Sequence, residues 1–262
     1  MTLRVLVTRP QPQADAWVER LRAAGLDAQA LPLIDVAAAK DARLVQDAWA
    51  ALPRDAMAVF VSPNAVAQFF AARSAQGWPS QVLAACTGPG SAAALRANGV
   101  PPAQVIEPPA DAPQFDSEAL WHACLAPRDW RGRSVLIVRG DGGRDWLADT
   151  LKVQGADVRF VQAYARALPV LDAAASRLLA EALARPREHV WLFSSSQAIE
   201  HLSRLAAAGT DWSQACALAT HPRIAASARA LGVRDVHEAP PTEAAVIAAI
   251  STIAAHIEST RP

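Results

Sequence analysis

The stretch from Ser134 to Arg166 has the pattern of a strand, a turn, a helix and a second strand, and it constrains the fold more than any other segment. Residues 135–138 are a continuous apolar run that is too short for a helix, and Gly140 bounds the run, which is typical of a strand buried on both faces. Apolar residues then recur at helical spacing from Trp146, and Gly155 is placed to end that helix. Units of this kind build parallel sheets that carry helices on both faces.

The chain repeats this pattern, which indicates an old duplication. Residues 3–35 align with the first stretch at an offset of 130, and two later segments align at an offset of 133. Each half therefore alternates strands with helices, and ligand sites are expected at the carboxyl ends of the strands. The matched pairs include Val5 with Val135, Arg9 with Arg139, Ser62 with Ser195, and Thr87 with Thr220.

Composition excludes several classes of partner. The 25 basic and 25 acidic residues leave no net charge to attract nucleic acid or an anionic membrane. No apolar run approaches the about 18 residues of a membrane span, and no signal sequence is visible. The 3 cysteines are far apart and form no CxxC pair, which predicts a cytoplasmic protein with reduced thiols and no metal site.

Two glycine-rich turns suggest nucleotide binding but fit it poorly. Gly88-x-Gly90-x-x-Ala93 mimics a dinucleotide fingerprint, yet the corresponding segment of the second repeat has lost both glycines. The segment from Gly140 to Gly143 lacks the ending of a phosphate-binding loop and is interpreted as a tight turn, with Asp141 as a helix cap. A nucleotide-dependent enzyme remains one alternative function.

Several motifs, in their order and spacing, resemble those of the uroporphyrinogen-III synthase family across nearly the whole chain. Their order supports the resemblance more than any single motif does. They are residues 5–10 (VLVTRP), 59–65 (VFVSPNA), 115–120 (FDSEAL), 135–140 (VLIVRG) with Tyr164, and 219–225 (ATHPRIA).

The resemblance implies an α/β fold of two flavodoxin-like lobes with parallel sheets, joined by a two-segment linker. The first lobe is then discontinuous and comprises residues 1–35 and 168–262, and the second comprises residues 39–163. Residues 36–38 and 164–167 form the hinge connections. The resemblance further implies that the chain cyclises hydroxymethylbilane, a linear tetrapyrrole with eight carboxylates, to uroporphyrinogen III. The terminal pyrrole ring is inverted, water is lost, and no cofactor is needed.

Tyr164 is the predicted catalytic residue, because it is the only tyrosine of the chain and follows a predicted strand next to the implied hinge. Helix starts, with their free N–H groups and dipoles, are predicted to hold most substrate carboxylates, and arginines to hold fewer. A monomer is expected. A two-lobed binding or sensor module without catalysis is the other alternative function. The predicted substrate-binding residues are Thr8, Arg9, Ser62, Asn64, Thr87, Ser91, Arg139, Ser195, Ser196, Thr220 and Arg223.

Overall fold

The structure is a computed structural model that describes residues 3–73 and 77–259. The chain divides into two compact units. The first unit combines the segment that ends at Asp35 with the segment that begins at Ala167, and the second unit is Val36–Arg166. No helix within the described residues is long and apolar enough to cross a membrane.

Strands and helices alternate along both units, as the repeats predict. The strands are β1 (Arg4–Val7), β2 (Asp27–Ala30), β3 (Asp35–Ala38), β4 (Met57–Phe60), β5 (Leu83–Cys86), β6 (Val105–Ile106), β7 (Ser134–Gly140), β8 (Asp157–Ala167), β9 (His189–Phe193), β10 (Cys216–Ala219) and β11 (Asp235–Glu238). The helices are α1 (Gln13–Ala23), α2 (Ala42–Ala51), α3 (Pro63–Ala71), α4 (Pro89–Ala97), α5 (Ser117–Leu120), α6 (Trp146–Val153), α7 (Ala173–Ala184), α8 (Ser196–Leu205), α9 (Pro222–Leu231) and α10 (Glu243–Ser259).

The sheet of the first unit has the strand order β11-β10-β9-β1-β2, and each neighbouring pair is parallel. Read from β2, this is the flavodoxin-like order 2-1-3-4-5, whose topological switch point lies between its first and third strands. In this unit these are β1 and β9. Ligands bind such sheets at the carboxyl ends of the strands that flank the switch point.

The sheet of the second unit has the order β3-β8-β7-β4-β5-β6. If β7 is counted as the first strand, the order from β8 to β6 is again 2-1-3-4-5, with β3 added beside β8. The same arrangement is therefore reached from a different starting strand, and the switch point lies between β7 and β4. The predicted fold class, α/β with parallel sheets, is confirmed.

Both faces of the second sheet are buried, which explains the continuous apolar runs. On β4, Ala58 and Phe60 pack on one face while Met57 and Val59 pack on the other, and all four side chains are fully buried. Side chains of a strand alternate between faces, so both layers of helices must cover the sheet. Each large apolar side chain removed from water in this way contributes about 1.5–3 kcal/mol.

The turn after β7 differs in detail from the sequence interpretation. Asp141 does not cap the next helix, because α6 begins only at Trp146, with Asp145 at the cap position. The Asp141 carboxylate instead accepts a hydrogen bond from the main-chain N–H of Arg166 at 2.9 Å. Gly142 and Gly143 adopt positive φ angles of 72° and 125°, so the glycines form the tight turn that was predicted.

The predicted hinge segments lie in strands. Residues 36–38 belong to β3 and residues 164–167 to β8, and these two strands are neighbours in the second sheet. The chain passes from the first unit to the second between Asp35 and Val36, and it returns to the first between Arg166 and Ala167. That these segments act as a hinge stays a prediction.

Candidate functional site

Tyr164 lies near the switch point of the second unit, late in β8. Its side chain is 2% exposed and packs in the core face that includes Phe60 and Val138. Its hydroxyl oxygen is 2.9 Å from the hydroxyl oxygen of Ser62, which follows β4. Two hydroxyls that the sequence places 102 positions apart are therefore a hydrogen-bonded pair.

A β-bulge and a glycine bring the tyrosine to this position. In the pairing of β7 with β8, Arg139 lies opposite Gln162 but Gly140 lies opposite Tyr164, so β8 contains one extra residue. Bulges redirect side chains, and here two consecutive residues, Ala163 and Tyr164, are both buried. A Cβ on Gly140 would lie 2.7 Å from two carbons of the Tyr164 ring. Only a glycine at position 140 leaves room for the ring in this place.

Ser62 is fixed by the helix that it caps. Its backbone is extended, Pro63 occupies the first turn, and its Oγ accepts the N–H of Ala65 at 3.1 Å. In the pair with Tyr164 either hydroxyl can donate. If Ser62 donates, the phenol proton of Tyr164 is free for another acceptor, and the serine hydroxyl stabilises negative charge that develops on the phenol oxygen.

Arg166 adds positive charge beside the ring. Its guanidinium carbon is 5.6 Å from the centroid of the Tyr164 ring. The Nε of Arg166 is buried without a hydrogen-bond partner and lies 3.8 Å from a carboxylate oxygen of Asp141. Neither the position of Arg166 beside the ring nor the contact of Gly140 with the ring was predicted from the sequence. An arginine two residues after the tyrosine on an extended strand, where side chains two apart share a face, was the available signal.

Three further predicted residues of this unit surround the starts of α3 and α4. Thr87 donates its hydroxyl to the carbonyl oxygen of Val61 at 3.3 Å and so ties the ends of β4 and β5 together. Ser91 is buried, and its N–H already donates to the carbonyl oxygen of Gly88 at 3.1 Å, so this N–H is not free for a ligand. Asn64 is half-buried in the first turn of α3.

In the first unit, the predicted hydroxyl residues mostly support the ends of strands and helices. Thr8 is buried and donates its hydroxyl to the carbonyl oxygen of Leu192 at 2.7 Å, which links β1 to β9. Ser195 caps α8 by accepting the N–H of Gln197 at 3.2 Å. The hydroxyl of Ser196 lies 3.0 Å from the hydroxyl of Ser227. The main-chain N–H of Thr220 donates to the carbonyl oxygen of Phe193 at 3.0 Å.

Arg223 lies in the first turn of α9, and His221 lies at the cap position of this helix. The side chain of Arg223 is exposed, and its main-chain N–H donates to Nδ1 of His221 at 3.1 Å. His221 therefore caps this helix with a ring nitrogen instead of a hydroxyl. Nδ1 of this histidine is therefore occupied by the helix cap.

The two arginines that the repeat aligns, Arg9 and Arg139, have different surroundings. Arg139 forms an ion pair with Asp145, and its guanidinium lies 4.1 Å from the centroid of the Phe160 ring. Arg9 has no carboxylate within ion-pair distance among the described residues, and its Nε is buried without a hydrogen-bond partner. Burial, followed by the charge of Arg20, lowers the pKa of Arg9 to about 10. Its guanidinium lies 5.1 Å from the centroid of Trp17.

Arg9 as a whole is half-buried, and a cation that is partly removed from water without a carboxylate partner is costly unless it serves a ligand. Arg9 follows β1, at the switch point of the first unit, where anionic ligands bind such sheets. It is therefore the charged side chain of this unit that is best placed to accept a carboxylate.

Comparison with known proteins agrees with the motifs. The family model described as uroporphyrinogen-III synthase HemD matches residues 15–248. A uroporphyrinogen-III synthase from Salmonella typhimurium is 34% identical over 175 residues, which are 66% of this chain and 68% of that protein. The corresponding protein of Escherichia coli is 31% identical over 168 residues, 63% of this chain and 65% of that protein.

Solved structures show the same fold. A mutant uroporphyrinogen III synthase from Thermus thermophilus has a TM-score of 0.59 at 19% identity and covers 96% of this chain and 98% of its own. The synthetase of Helicobacter pylori has a TM-score of 0.56 at 15% identity and covers 96% of this chain and 100% of its own.

Proposed function

Because the chain belongs to the uroporphyrinogen-III synthase family, we propose that Tyr164 and Ser62 assist the step in which the substrate loses its hydroxyl. The enzyme cyclises hydroxymethylbilane to uroporphyrinogen III in tetrapyrrole biosynthesis. The alternatives of a sensor module and of a nucleotide-dependent enzyme are not favoured by this membership. The observation that carries the proposal is the hydroxyl pair of Tyr164 and Ser62, 2.9 Å apart at a switch point.

The step transfers one proton and breaks one C–O bond. In the pyrrole ring that carries the hydroxymethyl group, the nitrogen keeps its proton and its lone pair forms a C=N bond as the C–O bond breaks, which leaves an azafulvenium cation. Tyr164 gives its phenol proton to the departing oxygen, which leaves as water. The phenol oxygen keeps the electron pair, and Ser62 and Arg166 stabilise this negative charge. The proton lost when the closed ring becomes aromatic again restores the phenol.

Formation of isomer III then depends on how the bilane is held. The azafulvenium carbon must be attacked by the substituted carbon of the pyrrole ring at the opposite end of the bilane, through a spiro intermediate, if that last ring is to be inverted. A folded pose supplies this preference by proximity and orientation. We assign the holding of the substrate carboxylates to Arg9, which lacks a carboxylate partner among the described residues, and to the starts of α3, α8 and α9.

The helix starts provide attraction without a strongly basic surface. Each is worth about 0.3–1 kcal/mol for an exposed anion and up to about 2 kcal/mol when partly buried. The equal numbers of basic and acidic residues, 25 of each, support this weak and distributed binding. The same balance supports an enzyme that binds no nucleic acid. The three free cysteines support a cytoplasmic location, and we propose that the chain works as a monomer.

The deciding experiment supplies freshly made hydroxymethylbilane to the purified chain and separates the uroporphyrin isomers after oxidation. The unaltered chain should give isomer III. Tyr164→Phe should reduce kcat at least about tenfold, since a positioned acid contributes about 10²–10⁴-fold. Ser203→Ala is the matched control, because this exposed hydroxyl bonds only to the carbonyl of Glu200 on the surface of α8. Unchanged kcat in Tyr164→Phe would remove the tyrosine from the mechanism.

A further inference from the structure

Three side chains that commonly bind transition metals lie together at the amino-terminal edge of the first sheet. They are Cys216 at the start of β10 and Asp235 and His237 on β11. One ligand atom from each, a sulfur, a carboxylate oxygen and an imidazole nitrogen, lies within 4.8 Å of the other two. The hydroxyl residues and Arg9 follow the carboxyl ends of strands, so this cluster lies at the opposite edge.

Strand pairing places the three side chains on one face. In the parallel register of β10 and β11, Cys216 lies opposite Asp235, and Leu218 lies opposite His237. Asp235 and His237 are two residues apart on one strand, so their side chains point to the same side. β11 is the edge strand of this sheet, and the cluster spans the last strand pair.

The Asp235 carboxylate is the centre of the cluster. Its Oδ1 lies 2.8 Å from Nε2 of His237, and the sulfur of Cys216 lies within 4.8 Å of the other two ligand atoms. Burial, followed by the charge of Asp235, raises the pKa of the Cys216 thiol. The carboxylate therefore lies beside a thiol and an imidazole, whose sulfur and nitrogen become metal ligands when an ion replaces the thiol proton.

We propose that Cys216, Asp235 and His237 bind one divalent ion of the Zn²⁺ type. Cys216 loses its thiol proton to solvent, and its sulfur donates an electron pair to the ion. Nε2 of His237 donates its lone pair to the ion, and the ring carries its proton on Nδ1. The thiol releases one proton for each ion bound. The thiolate and the carboxylate balance the two positive charges of the ion, so the buried thiol gains no uncompensated charge.

The ligand types and their spacing fit this class of ion. Sulfur, nitrogen and oxygen ligands at the usual bond lengths of Zn²⁺ lie about 3.3–3.8 Å apart in a tetrahedron. The 2.8 Å pair of Asp235 and His237 and the 4.8 Å limit on the cluster need only small side-chain movements to reach that geometry. Asp235 is exposed and His237 is half-buried, which leaves the fourth position to water. The ion fastens the edge strand β11 to β10.

This proposal differs from the sequence prediction, which excluded a metal site because the cysteines form no CxxC pair. The cluster has no cysteine pair, because one ligand lies on β10 and two lie on β11. A cysteine that begins one strand and an Asp-x-His that begins the next was the available signal.

The test uses the full chain after removal of bound metals with a chelator. Co²⁺ is added as a probe of Zn²⁺ sites, and the thiolate-to-cobalt charge-transfer absorption is recorded. One Co²⁺ per chain should give the band, about one proton per ion should be released near neutral pH, and Zn²⁺ should remove the band by displacing Co²⁺. Cys216→Ser should abolish the band. Cys124→Ser should keep it, since that half-buried thiol bonds to the carbonyl of Glu107 in the second unit.

His237→Gln keeps the test decisive if Cys216→Ser does not fold, because the side chain of His237 is 41% exposed. Loss of a group that only supports a ligand costs about 10–100-fold in metal affinity, so loss of a ligand should weaken Co²⁺ binding at least about tenfold. Absence of the band in the unaltered chain would overturn the proposal. Persistence of the band in Cys216→Ser, or unchanged affinity in His237→Gln, would do the same.

Discussion

The two units share one strand order but differ at their switch points. In the second unit, Ser62 lies 2.9 Å from Tyr164. In the first unit, the corresponding serine is Ser195, and the position that matches Tyr164 at the offset of 130 is the buried Ile34. Both serines cap helices, but only Ser62 has a phenol as its partner in the described structure.

Among the two aligned arginines, the one without a carboxylate partner lies in the first unit. Arg139 of the second unit is paired with Asp145, whereas Arg9 of the first unit has no carboxylate partner among the described residues. The two units therefore share strand order and helix caps, while the hydroxyl pair and the arginine without a carboxylate partner each occur in one unit among the described residues. This contrast fits the roles proposed for Tyr164 in proton transfer and for Arg9 in binding a substrate carboxylate.

The largest effect is expected at Gly140. In Gly140→Ala, the added Cβ would lie 2.7 Å from the Tyr164 ring, so the ring must move away from Ser62. We expect kcat to fall at least about tenfold, as in Tyr164→Phe. Gly77→Ala is the matched control, because a Cβ there meets nothing within 4 Å.

Steady-state kinetics of Gly140→Ala, Tyr164→Phe and the double variant complete this test. If Gly140 acts through the ring, the two losses should not add. Additive losses would show that Gly140 affects catalysis by another route.

The next largest effect is expected at Arg9. Arg9→Met should raise KM about 10–100-fold, because a charge-assisted contact to a carboxylate is lost. The same variant should be more stable by about 1 kcal/mol, because removing a half-buried charge that has no carboxylate partner among the described residues relieves its desolvation cost. The folded-state pKa of Arg9 is lowered to about 10, so this cost is fully present at neutral pH.

Arg139→Met is the comparison for Arg9→Met. Its ion pair with Asp145 is partly exposed, so its loss should change stability by only about 0–1 kcal/mol. Denaturant unfolding and KM are measured on both variants. An Arg9→Met protein that binds substrate normally would contradict the division of roles between the units.

A smaller effect is expected from prolines in the first turns of the helices. Asn64→Pro deletes a main-chain N–H in the first turn of α3, where a proline breaks no hydrogen bond within the helix. KM should rise several-fold if this N–H attracts a substrate carboxylate. In α8 the corresponding change, Gln197→Pro, also removes the N–H that Ser195 caps, so it should additionally reduce stability by about 1 kcal/mol.

Thermal unfolding separates these two effects of the prolines. Unchanged KM in both variants would exclude the starts of α3 and α8 from substrate binding.

Local patterns predicted the fold because each element depends on nearby residues. The apolar runs of β4 and β7, the Ser62-Pro63 helix start and the stop at Gly155, whose φ is 89°, could all be identified from a few neighbouring positions. The contact between Tyr164 and Ser62 could not, because it depends on a bulge in β8 and on strand pairing across about a hundred residues. Tyr164 and Ser62 were each predicted as site residues from the sequence, but the hydrogen bond between them was not.

The absence of a carboxylate partner for Arg9 among the described residues could not be predicted from the sequence either. Arg9 and Arg139 occupy matching positions, and each has an aspartate six residues later, Asp15 and Asp145. Only Arg139 pairs with its aspartate, whereas Asp15 accepts hydrogen bonds from Gln11. An identical spacing therefore gives an ion pair in one copy and an unpaired cation in the other.

The smallest expected effect, and the most direct comparison of the units, comes from the two capping serines. Ser62→Ala and Ser195→Ala each remove one helix cap, so each should reduce stability by about 0.5–2 kcal/mol and raise KM less than about tenfold. Ser62→Ala also removes the partner of Tyr164, so its kcat should fall several-fold, whereas the kcat of Ser195→Ala should not change. Thr220→Ala, after β10, should also leave kcat unchanged, and it removes no helix cap because His221 caps α9. The difference in kcat between the serine variants isolates the hydroxyl pair from capping, because capping is lost in both. Equal kcat values would mean that Tyr164 acts without Ser62, and that the contrast between the units depends on the tyrosine alone.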